Sequence, residues 1–455
     1  MADAKPQVAD RRATELRERV RAAMPRVRKV HEALVRIPSV SASGHDPEPL
    51  RRSADAVAKA FADAGIESRV ISVEGGHPAV VGRVAGPGAG RKVLLYAHHD
   101  VQTEGPRERW QDDPFEPTEK DGRLYGRGSA DDKAGIAVHL AAILAHGSKP
   151  PCDVALFIEG EEEAGSKHLR TYLEKEKALL AADAVILADS ANWRIGQPAL
   201  TVSLRGNVIV TVRVRVLDHA VHSGAYGGVF PDALMALSRL LASLHDDAGN
   251  VAVEGLRGDD ADPLDLTEEE LRGYTGARPS LRAIGKGSLT SRLWSRPSLS
   301  ITGIDAPSVH EASNQLVPEA RAKVSLRIPP GQPAAAAQDA LVRHLERSAP
   351  WGAEVVVTRE STGEAFTSAR SGPAYEAFHR AMAEAWGRKG IDVGLGGSIP
   401  FLADFAEVFP RAALLVTGVE DPTSNAHSEN ESVHLGELEN AAVAEALFLE
   451  HFART

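Results

Sequence analysis

The 455-residue sequence predicts an α/β protein in which a mostly parallel sheet flanked by helices is interrupted by an inserted α+β domain. Short continuous apolar runs such as Val93-Leu94-Leu95-Tyr96-Ala97 read as strands buried on both faces. Helical stretches alternate with those runs, which is the pattern of parallel neighbours joined by crossovers. Near Leu204 the character changes. Val208-Ile209-Val210-Thr211-Val212-Arg213-Val214-Arg215-Val216 alternates apolar and polar residues, as a strand with one wet face does. The expected division is a first catalytic segment over 1–205, an inserted domain over 206–365 and a second catalytic segment over 366–455.

The elements follow in chain order. Glu15 to Val35 reads as an amphipathic helix that stops before Ile37-Pro38-Ser39, and Ser53 to Ala64 repeats the period with Ala54, Val57, Ala58 and Phe61. Strands are expected at Val80–Val84 and Val93–Ala97, joined across Gly86-Pro87-Gly88-Ala89-Gly90. A helix over Ala134–Ala145, a strand at Val154–Ile158, a helix over Ser166–Leu180 and a strand at Val185–Ala188 complete the first part. In the insertion, Pro231–Leu244 and Ala334–Ser348 read as helices, Ala322–Ile328 and Glu354–Arg359 as strands, and Gly255–Ser298 as a polar, loop-rich stretch. Helix Tyr375–Trp386, strand Ala412–Val416 and helix Leu438–Phe452 close the chain.

Lysine plus arginine number 52 against 63 acids, a formal net charge of −11. That balance argues against nucleic acid or an anionic membrane, because phosphate binding needs a basic footprint. Cys152 is the sole cysteine, so intrachain disulfides and thiolate metal clusters are excluded. The opening residues lack a signal peptide's apolar core and no apolar run reaches membrane-spanning length, so a cytoplasmic location is the expectation.

Five segments carry chemistry. His98 and Asp100 fall on one face at a strand end, while His99 points away. Asp131-Asp132 opens a helix after Gly126-Arg127-Gly128-Ser129. Glu162-Glu163 follows another strand, and adjacent carboxylates suit one metal ligand and one proton acceptor. Asp189 lies at a further strand end, and His427-Ser428-Glu429-Asn430-Glu431 occupies a loop after the strand ending at Val416. Singly, each has an ordinary reading as a cap or a solvated polar group. Together they gather at the carboxyl ends of strands, where open parallel sheets bind ligands. Oxygen and imidazole donors without sulfur suit two divalent ions, zinc first, with manganese or cobalt possible.

These motifs, in this order, resemble the dinuclear metallopeptidases and deacylases that include carnosine-type dipeptidases, carboxypeptidase G and the zinc aminoacylases. The motifs are Tyr96-Ala97-His98-His99-Asp100-Val101, Gly128-Ser129-Ala130-Asp131-Asp132-Lys133, Glu162-Glu163-Ala164-Gly165-Ser166, Asp189 and His427-Ser428-Glu429-Asn430-Glu431. The resemblance implies that Asp131 bridges two metals, one completed by Glu163 and His427, the other by His98 and Asp189. It further implies that Asp100 clamps the His98 ring, that Glu162 is the general base, and that the Asp131-Asp132 peptide is cis. The insertion would then be a lid and dimerisation domain. In it, His222 of Asp218-His219-Ala220-Val221-His222-Ser223 would reach a partner's active site and stabilise the oxyanion. Arg327 of Ser325-Leu326-Arg327-Ile328-Pro329 would grip the substrate carboxylate. Gly397 and Ser398 of Gly396-Gly397-Ser398-Ile399-Pro400 would contact substrate.

The expected activity is hydrolysis of dipeptides by a homodimer, with an N-acyl-amino-acid deacylase or a carboxypeptidase as the alternative on the same scaffold. Asp189, rather than glutamate, leans towards the dipeptidase branch. Leu395, where those dipeptidases carry an acid, and Gln315, near which they carry a threonine, depart from it at the place where a free amino group would be held. A metal-binding scaffold without catalysis would lack the base or a ligand, yet Glu162 and all five ligand positions are present. A serine hydrolase would need a Gly-x-Ser-x-Gly elbow, which the sequence lacks.

Overall fold

A computed structural model describes residues 4–88, 90–397 and 401–455. The chain divides into two compact units, Met1–Val202 with Ser368–Val393 and Pro400–Thr455, and Ser203–Thr367 with Gly394–Ile399.

The first unit is built on a sheet whose strands run in the order Glu67–Ile71, Ala79–Val84, Asp153–Glu159, Lys92–His98, Ala184–Leu187, Ala413–Val416 and Ala199–Leu204. The central four are parallel, and the outer pairings are antiparallel. Ala79–Val84 and Lys92–His98 are consecutive in the chain, yet Asp153–Glu159 lies between them. The central runs are apolar throughout because both faces are covered. Helix Lys133–Ala145 is buried on nearly every residue. A helix apolar all round belongs inside, and this one packs against the sheet and helices Ala4–Val35 and Leu435–Phe452.

Several helical expectations need correction here, the first helix beginning at Ala4 rather than Glu15, and several strands were missed, Glu67–Ile71 and Ala199–Leu204 in the main sheet among them. Ser166–Leu180 is two short helices, Leu169–Lys175 and Lys177–Leu180, broken at Glu176. Glu67–Ile71 was unread because it is an edge strand of mixed polarity with only its last residue buried. Helix Glu48–Asp63 starts earlier than its apolar period, with Pro47 ahead of it.

The second unit is a four-stranded antiparallel sheet in the order Ser298–Asp305, Glu319–Ile328, Gly206–Arg215, Glu354–Gly363. In its two central strands the alternation is strict. Val208, Val210, Val212 and Val214 pack with Ala320, Ala322, Val324, Leu326 and Ile328 beneath helices Ala233–Ala242 and Ala334–Arg347. The edge strand Ser298–Asp305 exposes most of its residues and so gave no alternating signal. The stretch read as loop-rich holds helix Glu268–Thr275, opened by a capping box between Thr267 and Glu270. Among the described residues no helix is long and apolar enough to cross a membrane.

Candidate active site and metal centre

His98 is the last residue of its strand, and the pleat turns its ring to the face shared with Asp100. Its Nδ1 donates to the Asp100 carbonyl oxygen at 3.1 Å and lies 3.4 Å from Asp100 Oδ1. Nε2 is thereby turned outward, 2.9 Å from Asp131 Oδ1 and 3.9 Å from Asp189 Oδ1. His99, on the opposite side, donates to the Pro78 carbonyl. The Asp100 carboxylate also accepts from the backbone amides of Glu162 and Glu163, at 3.2 and 3.0 Å. One buried acid thus holds both the ring and the acidic turn.

The other oxygen of Asp131 faces elsewhere. Oδ2 lies 2.9 Å from His427 Nε2, which is 3.1 Å from Glu163 Oε2. Two sets of ligand atoms therefore converge, His98 with Asp131 and Asp189, and Asp131 with Glu163 and His427, each within 4.8 Å. Asp131 is common to both. The peptide joining it to Asp132 is cis, and Asp132 caps helix Lys133–Ala145 while accepting from the His98 amide at 3.1 Å.

The donor set fits divalent cations on electrostatic grounds. Burial, then the neighbouring Asp131 and Glu163 carboxylates, raises Asp189 to about 7. Burial, followed by repulsion from Asp189, lifts Glu162 well above the usual carboxylate range. Glu420 is raised by burial and by Asp131 and Asp189. His427 is held protonated up to about 11 by its bonds to Asp131 and Glu163. The pocket thus holds more carboxylate than its own histidines can neutralise, a surplus that cations relieve. His98, Asp131 and Asp189 would hold one ion, and Asp131, Glu163 and His427 the other.

Several neighbours carried no spacing signal. Gln102 fixes Glu163, donating from Nε2 at 2.8 Å and from its backbone amide at 3.2 Å. Glu431 was quoted only as part of the His427 motif, yet its carboxylate is wholly buried and accepts from the amides of Gly128, Ala130 and Asp131. Glu420 stands four residues beyond a strand end, a position that could have drawn attention.

The remaining expected site residues belong to the second unit and are described within it. His222 is exposed at the end of the short strand Val221–His222, paired with Gln315–Leu316, and its Nδ1 accepts from the Gly224 amide. Arg327 lies on the half-exposed sheet face opposite Leu326 and Ile328, and burial lowers its pKa. Arg205, absent from the expectations, is pushed down to about 10 by burial and by Arg327. It donates to Gly396 O at 3.1 Å and Ser298 Oγ at 2.8 Å. A Cβ at Gly396 would meet Arg205 Nη2 at 2.7 Å and the Leu293 carbonyl oxygen at 3.0 Å, so a larger residue there would displace the Arg205 side chain. Gly397 itself is half-buried, and Ser398 lies outside the described residues.

The chain is similar to known proteins in sequence and in fold. The sequence model of peptidase family M20/M25/M40 matches residues 94–451. The chain is 35% identical over 366 residues to a cysteinylglycine-S-conjugate dipeptidase of Corynebacterium striatum, covering 78% of this chain and 80% of that one. It is 30% identical over 389 residues to a beta-Ala-His dipeptidase of Homo sapiens, covering 79% and 74% of the two. The solved structure of the dipeptidase Dug1p from Saccharomyces cerevisiae superposes with a TM-score of 0.79 at 22% identity, over 97% of this chain and 99% of that one, a likeness of fold.

Proposed function

The chain belongs to peptidase family M20/M25/M40, and on that premise we propose that it hydrolyses the amide bond of dipeptides with two divalent metal ions, zinc foremost. The observation that supports this most is the orientation of Asp131, each of whose oxygens faces a different ligand set. Such a pair of cations, when bound, supplies Lewis acidity to the scissile carbonyl and acidifies a water at neutral pH.

The protein's own residues do the rest. Glu162, beside the ligand Glu163 and fixed through its amide by Asp100, takes the proton from the attacking water and passes it to the leaving amine. Asp100 keeps the His98 ring in one orientation, so that its Nε2 stays available as a ligand. His222 donates to the tetrahedral oxyanion, a contact typically worth about 2.7–4 kcal/mol of barrier. Arg327 holds the substrate carboxylate in a fork of parallel hydrogen bonds, which limits substrates to those ending near that point. Gly397 and Ser398 line the substrate.

The same reading makes the protein a cytoplasmic homodimer joined through its second unit. Its support is the exposed edge strand Ser298–Asp305, which presents Ile301 and Ile304. Light scattering should give twice the chain mass; a fully active monomer would remove any cross-subunit role of His222. For substrate, turnover of free dipeptides but not their N-acetylated forms is expected. Turnover of the acetylated set alone would replace the dipeptidase reading with the deacylase one.

A further inference from the structure

The loop that carries Asp131 and the loop that carries His427 are joined by one ionic clamp. Glu431 is completely buried. One of its carboxylate oxygens accepts from the amides of Ala130 and Asp131 at 2.9 and 3.1 Å. The other accepts from the Gly128 amide at 3.1 Å and from Arg127 Nη1. Arg127, itself buried, turns its second nitrogen to the Ser428 carbonyl at 3.0 Å, one residue after His427. Gly126 in turn donates its amide to Glu431 O at 2.9 Å.

What the clamp holds is a loop that would not keep its shape unaided. Asn425, His427 and Asn430 all have φ between 55° and 60°, a left-handed region that non-glycine residues adopt at a cost. Neither the carboxylate nor the guanidinium touches a ligand side chain. Their contacts are with each other, with the Trp110 ring under the guanidinium, and with the backbone on either side of those ligands.

We infer that Glu431 is a positioning residue that sets the affinity of both metal positions, by fixing the backbone of Asp131 directly and that of His427 through Arg127. The inference rests on the two-metal reading above. The physical reason is one of chemistry at each oxygen. A glutamine would place an NH2 group either against the amides of Ala130 and Asp131 or against Arg127 and the Gly128 amide. Donor would then face donor in a buried space, and the loop ahead of Asp131 must move. Because Asp131 serves both ligand sets, both should loosen together. Beyond its bond to Glu431, the Arg127 guanidinium hydrogen-bonds the His427 loop alone, at the Ser428 carbonyl, so Arg127→Lys, which keeps the charge and loses the fork, should weaken that position.

The experiment is zinc titration of the full-length chelated protein against a competing indicator, with melting temperatures of the metal-free forms recorded beside it. Wild type should bind two zinc ions. Glu431→Gln should lose about 10–100-fold in affinity at both positions, the range found when groups that orient ligands are altered. Arg127→Lys should show a smaller loss confined to one. Wild-type affinities in Glu431→Gln would overturn the inference, as would a lowered melting temperature with unchanged affinity in the folded fraction. Should Glu431→Gln fail to fold, Arg127→Lys decides: unchanged affinity at both positions overturns the inference. A wild type that takes up no zinc would instead sink the two-metal reading itself.

Discussion

The two units carry their candidate residues in different ways. In the first, most of the candidate side chains are held by neighbours: Asp100 holds His98 and two amides, Gln102 holds Glu163, and Asp132 holds the His98 amide, while His427 alone among the five ligands is exposed. In the second, His222 is exposed on a two-residue strand and Arg327 lies on a half-exposed sheet face. On the proposed function, the contrast teaches that the residues assigned to the metals and the proton are largely fixed before substrate arrives, whereas His222 and Arg327 sit where solvent must first be displaced. Preorganised groups lose little in reorganisation when charge develops.

The comparison breaks most visibly at Glu162. Glu162→Ala should lower kcat by about 10²–10⁴-fold while leaving two metal ions per chain, measured by elemental analysis beside steady-state kinetics. Retained activity would mean that the base has been misassigned. A smaller and different effect is expected in the second unit. Arg327→Met should raise KM by about 10–100-fold, since hydrogen bonds to charged groups contribute about 1.5–3 kcal/mol each. A dipeptide amidated at its carboxyl end should show no such difference between wild type and variant. Equal losses on both substrates would deny Arg327 its carboxylate.

A third effect, on stability rather than on turnover, separates burial from function. Glu159 accepts from Tyr96 Oη at 2.7 Å in the core, and burial raises its pKa to about 8. Its folded-state pKa exceeds the unfolded one, so the folded protein binds the extra proton and loses stability as pH rises from about 4.5 towards 8. Glu159→Gln has no proton to lose. Its stability relative to wild type should grow by a few kcal/mol at most across that window, at about 1.4 kcal/mol per unit, read from urea midpoints at the two ends. A constant difference would remove Glu159 from the titrating groups.

Much of the fold was legible because burial writes itself into the sequence. The apolar runs at Lys92–His98 and Asp153–Glu159 and the alternation at Gly206–Arg215 each have one physical cause. Edge strands such as Glu67–Ile71 and Ser298–Asp305 bury little and left no such trace. The convergence of His98, Asp131, Glu163, Asp189 and His427 was legible for a related reason, since strand ends of a parallel sheet meet at one edge. Gln102, Arg205, Glu420 and Glu431 were not. They act on backbone or neighbouring side chains across long sequence separations, and no local spacing encodes a contact between Glu431 and Ala130. Leu395 is 36% exposed in the second unit, so the departure noted there is available to solvent rather than spent in the core.

The central claim is that Asp131 is shared by two metal ions. Elemental analysis of the purified protein and of Asp131→Asn, after equilibration with zinc and removal of excess, tests it most directly. Two ions per chain in wild type and almost none in the variant are predicted. One ion in wild type, or two retained without the Asp131 carboxylate, would contradict it.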